Sequence, residues 1–115
     1  MSNKKTLEYA LDMLREEEGI SFKKMFGGFG LFKNKLPVAL ILNSGIYMKV
    51  NKFNRDDYVK AGSDPFSYVR RGKEIYLSNW LLPEEAMDSV ELFVEWFNKS
   101  YAAALERRLG KNDVL

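Results

Sequence analysis

From residue 20 to residue 50 the apolar side chains keep to alternate positions. Ile20, Phe22 and Phe26 are followed by Phe29 and Leu31, then Leu36, Val38, Leu40 and Leu42, then Ile46, Met48 and Val50. A period of two puts successive side chains on opposite faces of a pleated ribbon, so this stretch predicts strands. Glycines 27, 28 and 30, the pair Asn34 and Lys35, and "NSG" at 43–45 punctuate it as hairpin turns. Three such turns in sequence predict an antiparallel meander. After Pro65, "FSYVRRG" and "KEIYLSNW" read as two more strands with Gly72 and Lys73 at their tip.

Helical spacing flanks these strands. Leu7, Ala10, Leu11 and Leu14 fall on one stripe of a first helix that Ser2 or Asn3 caps and Gly19 ends. Asn54 caps a short helix, "NRDDYVKAG", with Asp57 placed three residues on like the acid of a capping box and Gly62 near its end. A long helix is expected to start at Pro83, with Glu84, Glu85 and Asp88 at its positive end and Arg107, Arg108 and Gly110 closing it. Its core-facing arc runs through Ala86, Val90, Phe93, Phe97, Tyr101 and Ala104. Leu92, Trp96 and Ala103 form a second, narrower stripe. It reads either as a face covered by a loop or the first helix, or as a dimer or partner surface.

The 115 residues fit one domain, 1–110, followed by a frayed tail at 111–115. No apolar run approaches the roughly 20 residues of a membrane helix, and no signal segment opens the chain. A soluble, cytoplasmic protein with no membrane partner is expected. With no Cys and no His, thiol nucleophiles, Ser-His triads, imidazole acid-base steps and Cys or His zinc sites are excluded. Carboxylates, Ser, Lys, Tyr and Arg remain. The available groupings are weak: Asp56 with Asp57, Glu84 with Glu85, and Lys49 on an apolar strand. First-turn acids and a snorkelling lysine account for them, so no catalytic residue, metal or cofactor is expected.

The net charge of +2 hides a segregation. Residues 1–18 carry three basic and five acidic groups, residues 19–80 eleven and four, and residues 81–115 four and seven. Such asymmetry points to a polyanion surface or to one part of the chain neutralising another. The middle segment also holds eleven of the sixteen aromatics. Lys23, Lys24, Lys33, Lys35, Arg70, Arg71 and Lys73 are therefore candidate nucleic-acid contacts. The alternative is that the aromatics are core and the basic residues keep exposed strands soluble.

The run "KKMFGGFGLFKN" at 23–34 raises two further readings. A phosphate loop needs its glycines to lead into a helix, and these lie between strands. The octamer of RNA-recognition sheets needs a basic residue at Gly27 and aromatics at Leu31 and Asn34. Gly27, Gly28 and Gly30 are read instead as a bulge or a close crossing of backbones.

In order, "MFGGFGLF", "PVALIL", "GIYMKV", "AGSDPFSY" (which holds Pro65, Phe66 and Tyr68) and "LPEEAMD" resemble the N-terminal domain of the TfoX/Sxy competence-regulator family. The resemblance covers about residues 18–104. It implies an α+β fold, a two-layer antiparallel sheet backed by helices in the order α-β-β-β-(β)-α-β-β-α, like that of secretion chaperones. Lys35 stands where relatives often have a turn glycine. The resemblance implies a non-enzymatic regulatory or adaptor domain acting through protein contacts. Partners of the family's kind would be a transcription factor such as the cyclic-AMP receptor protein or a separate C-terminal module. A homodimer and direct nucleic-acid binding are the other expectations.

Overall fold

A computed structural model describes residues 3–113, with side chains through residue 109. Strands β1 (Ile20–Met25), β2 (Gly28–Lys33), β3 (Leu36–Leu42), β4 (Gly45–Lys49), β5 (Pro65–Arg70) and β6 (Lys73–Leu81) form one antiparallel sheet in the order β1-β2-β3-β4-β6-β5. Helices α1 (Asn3–Met13), α2 (Arg55–Lys60) and α3 (Val90–Asp113) complete it, with a 3₁₀ turn at Glu84–Met87. The fold is the α+β order expected, and "PVALILNSGIYMKV" supplies two strands, β3 and β4.

Cross-strand register sorts the sheet into two faces. Leu31 pairs Ala39, Ala39 pairs Met48, and Ile41 pairs Ile46, which puts all five on one side. Leu7, Ala10, Met13 and Leu14 of the first helical stripe and Phe93 and Phe97 of α3 pack on that side. Each of the two buried rings contributes roughly 1.5–3 kcal/mol.

The hairpins are tight. Phe26 and Gly27, Asn34 and Lys35, and Arg71 and Gly72 are pairs of turn residues with both φ positive, the handedness that matches the twist of the flanking strands. The tip of the last hairpin is therefore Arg71-Gly72, not Gly72-Lys73, because Lys73 pairs Arg70 in the ladder. At Gly28 the reason for glycine is a close crossing: a Cβ there would lie 1.9 Å from the Ile41 carbonyl oxygen.

Several helix ends differ from expectation. Asn3 is already helical and its amide donates to the Gly27 carbonyl (2.8 Å), tying α1 to the first hairpin; Ser2 lies outside the described residues. Asn54 sits at the start of α2, but its side chain accepts from Asn51 N–H (2.8 Å) and donates to the Lys49 carbonyl (3.1 Å), so it does not cap the helix. Asp57 pairs with Lys99 (3.1 Å) and forms no capping box. Gly62, at φ 73, does end α2, with Ser63 N–H donating to the Tyr58 carbonyl and Gly62 N–H to that of Val59.

The helix expected from Pro83 is split. Glu84–Met87 is 3₁₀, and α3 begins after Ser89, whose Oγ accepts from Leu92 N–H (3.1 Å). A serine in that place caps a new helix because its hydroxyl satisfies one of the first orphan amides. Helix α3 runs through Gly110 to Asp113; the last part of the expected tail, residues 114 and 115, lies outside the described residues. No helix among the described residues is long and apolar enough to cross a membrane.

Candidate functional site

All the helical packing described above falls on one face of the sheet. The other face carries Leu40, Leu42 and Tyr47, which the register places together: Gly30 pairs Leu40, Leu40 pairs Tyr47, and Tyr47 pairs Leu81. These three are buried, with Met25, Phe66, Leu77 and Leu81 packed against them. Register irregularities at Leu31/Phe32 and at Pro65/Ser67 bend the flanking strands. The first and last hairpins supply the side chains that shield the centre, Met25 from one and Phe66, Leu77 and Leu81 from the other.

Between them lies a cleft of about 510 Å³ lined by Met25, Phe26, Gly30, Leu40, Leu77, Asn79, Lys49 and Arg107, among others. Gly30 makes room for Met25, since a Cβ there would lie 2.6 Å from the methionine sulfur. Phe26 stands at the mouth with its ring 70% exposed, on a turn residue with φ 53. Lys49 Nζ donates to Ser78 Oγ (3.3 Å), and Arg107 enters from the last turns of α3. A second cleft adjoins along Leu36, Pro37, Lys49, Arg107 and Arg108.

The basic residues singled out in the sequence are dispersed. Lys33 is ion-paired with Glu17 (3.2 Å), donates to Asn98 (3.1 Å) and lies over the Tyr101 ring; its charge is spent within the fold. Lys23 covers the Phe32 ring at 5.2 Å, Lys24 shares the helical face with Phe29, and Lys35 is a turn residue at φ 69. Arg70, Arg71 and Lys73 do come together. Strand β6 pairs β4 only from Asn79 to Leu81, so the outer β5-β6 ladder projects as a two-stranded ribbon with these three at its exposed tip.

The second helical stripe does not form a continuous exposed surface. Trp96 packs edge-on against Tyr58 of α2 (4.8 Å), Ala103 is 3% exposed, and Leu92 alone of the three is open, at 40%. Pro65, Phe66 and Tyr68 start β5; Phe66 meets Tyr47 edge-on at 5.1 Å and stacks with Tyr68 at 6.3 Å. Among the carboxylates, Asp57 serves its ion pair with Lys99. Glu74 is held below the usual carboxylate range by the hydroxyls of Tyr76 and Ser67. No cluster of three or more metal-ligating side chains occurs among the described residues.

Sequence reasoning missed Arg107 and Phe26 as cleft residues. Arg107 belongs to an acidic third of the chain, and Phe26 was counted with the strand. The signal for Phe26 was its place before Gly27 in a two-residue turn, where Asn or Gly is usual.

A family model described as the TfoX N-terminal domain matches residues 12–104. The chain belongs to this family. No curated protein matches it. The TfoX N-terminal match spans every strand of the sheet and ends in α3 before Arg107. The concave face is thus built inside the family domain, while the cation at its end comes from beyond the matched span.

Proposed function

We propose that this TfoX-type domain is a non-catalytic regulatory or adaptor module of the cytoplasm that works by contacting other proteins. The observation that carries the reading is the apolar sheet face, which presents Met25, Phe26, Leu40 and Leu77 to a cleft. Apolar surface gathered in a concavity is what a partner side chain fills. The partners that fit the family are a transcription factor such as the cyclic-AMP receptor protein, a separate C-terminal module, or a second copy of the chain.

The test is titration of labelled domain with purified cyclic-AMP receptor protein and, separately, with a C-terminal module. Saturable binding at micromolar concentration or tighter supports the reading. Absence of binding to either, with the domain monomeric by sedimentation, refutes it.

A second reading, direct nucleic-acid binding, is favoured by the projecting ribbon and its exposed tip of Arg70, Arg71 and Lys73. A two-stranded ribbon fits a groove of duplex DNA. Three phosphate contacts would give a slope of about −2.7 in log affinity against log salt. Binding that does not change with salt excludes it.

A further inference from the structure

Strand β4 stops before its neighbour does. It pairs with β6 from Tyr47 to Lys49, and the rung that follows is Val50 N–H donating to the Ser78 carbonyl (2.8 Å). Strand β6 runs on to Lys73 with β5 along its outer side. Hydrogen-bonding direction alternates along an antiparallel strand. Arg70 and Lys73 flank a two-residue turn and form a bonded pair, so Lys73 and Ile75 turn their backbone groups to β5, while Glu74 and Tyr76 turn theirs the other way. The Ser78 carbonyl lies on that same inner edge, where Val50 reaches it. The N–H and C=O of Glu74 and of Tyr76 therefore point to a place from which β4 has already departed.

That place is the cleft. Tyr76 and Leu77 line it on one side, opposite Met25, Phe26 and Leu40 of the first three strands. Residues 73–77 extend about 17 Å at the rise of a strand. The outer edges of the sheet are guarded against further pairing: β1 carries Lys23 and Lys24, and β5 opens on Pro65 and ends on Arg70. Along the inner edge, "EIYLS" at 74–78 holds no lysine, arginine or proline. Its one charge, Glu74, is engaged by the hydroxyls of Tyr76 and Ser67.

We infer that the cleft takes an extended segment of a partner protein as an added strand, its backbone bonded to Glu74 and Tyr76 and its alternate, apolar side chains seated against Met25, Leu40 and Leu77. The slot continues the β4–β6 interface, so the occupant that fits is one more length of strand. Main-chain bonds give the affinity and the pockets for alternate side chains give the selectivity. The slot lies between β6 and the first three strands, so an entering strand must come without a neighbour of its own. The outer strands β1 and β5 of a second copy each carry one, and a nucleic acid has no row of peptide donors and acceptors. This inference rests on the adaptor reading and names how its partner binds.

The test is selection of a displayed random library of about ten-residue peptides, long enough to cover the open edge, on the immobilised domain, followed by anisotropy with the enriched peptides. The expected winners alternate Val, Ile, Leu or Phe with other residues. Methylating their backbone nitrogens one at a time should weaken binding at least about tenfold at every second position and little between. On the domain, Tyr76→Pro removes an N–H that faces the slot and leaves the β5 ladder its bonds; it should bind at least about tenfold more weakly than Tyr76→Ala. Thermal melts by circular dichroism confirm that each variant is folded, and the methylation scan decides even if Tyr76→Pro does not fold, because it alters the peptide alone.

A failure to enrich any peptide, enriched peptides without the alternating response to methylation, or a folded Tyr76→Pro that binds as Tyr76→Ala does overturns the inference. So does a peptide-free domain that is dimeric and becomes monomeric on Tyr76→Pro, since a second copy would then fill the slot. If the cyclic-AMP receptor protein or the C-terminal module binds the parent and an excess of enriched peptide does not compete, the slot falls while the adaptor reading stands. If those proteins do not bind the parent at all, both fall.

Discussion

Tyr58→Phe tests the packing of α2 against α3, because it removes one oxygen and little else. The Tyr58 ring is 1% exposed, with Trp96 edge-on at 4.8 Å and Trp80 at 6.4 Å. Its hydroxyl and Ser100 Oγ are both buried, and neither reaches hydrogen-bonding geometry with a partner among the described residues. Burial pushes the phenol well above its ordinary pKa; the nearby Ser100 hydroxyl opposes the shift and the Asp57 charge adds to it. Removing an unsatisfied hydroxyl lifts about 1–3 kcal/mol of desolvation, against about 1 kcal/mol for the small void left. The variant should therefore equal the parent at pH 7 or exceed it by up to about 2 kcal/mol.

The pH dependence follows from the raised folded pKa. Stability from this group is complete below the unfolded pKa of about 10 and is lost as pH rises toward the folded value, because the unfolded phenol ionises first. At pH 11 the parent loses about 1.4 kcal/mol that the variant does not. Urea unfolding followed by tryptophan fluorescence at pH 7 and pH 11 measures both quantities. A variant less stable by more than about 1 kcal/mol at pH 7 would show that the hydroxyl is satisfied after all. A gap that fails to widen at pH 11 would refute the burial argument.

Other substitutions probe the turns and caps, each read as a shift in unfolding free energy from urea titration. Gly28→Ala forces a Cβ onto the Ile41 carbonyl and should cost about 3 kcal/mol or more, whereas Gly27→Ala, with open space around it, should cost only the left-handed penalty of about 1–2 kcal/mol. Ser89→Ala removes the cap of α3 and should cost about 1 kcal/mol. Lys35→Gly relieves a positive φ and should gain about 0.5 kcal/mol once the added freedom of the unfolded chain is subtracted. Phe26→Asn should raise stability by about 1 kcal/mol, since Asn tolerates the left-handed turn, while lowering affinity for any partner seated in the cleft.

The strands were legible because their period survives in composition: Leu36, Val38, Leu40 and Leu42 alternate whatever lies above or below them. The same pattern does not say which face the helices cover, and so Leu40 and Leu42 gave no hint of a concavity. Start signals at Pro83 suit a 3₁₀ turn as well as an α-helix, and the capping serine at Ser89 was the residue that decided. The cover over Trp96 was illegible for another reason. It comes from Tyr58, in an element whose docking is set by tertiary packing alone. Charge was misleading in the same way. Lys33 counts as basic in its segment, yet Glu17 from the acidic N-terminal segment neutralises it.

That neutralisation explains why a charge map drawn along the chain does not reproduce the surface. Acidic and basic segments meet at Lys33-Glu17 and at Lys99-Asp57, which removes charge from the helical side of the sheet. Arg107, from the acidic third, moves the other way and brings its cation to the opposite, apolar face. The floor of that face follows from the strand register and a glycine that admits Met25, both inside the family match. Its charge comes from the last turns of α3, outside that match. Floor and charge therefore have separate origins: relatives with the same sheet face and a different residue at the position of Arg107 would present the same floor to partners of different charge.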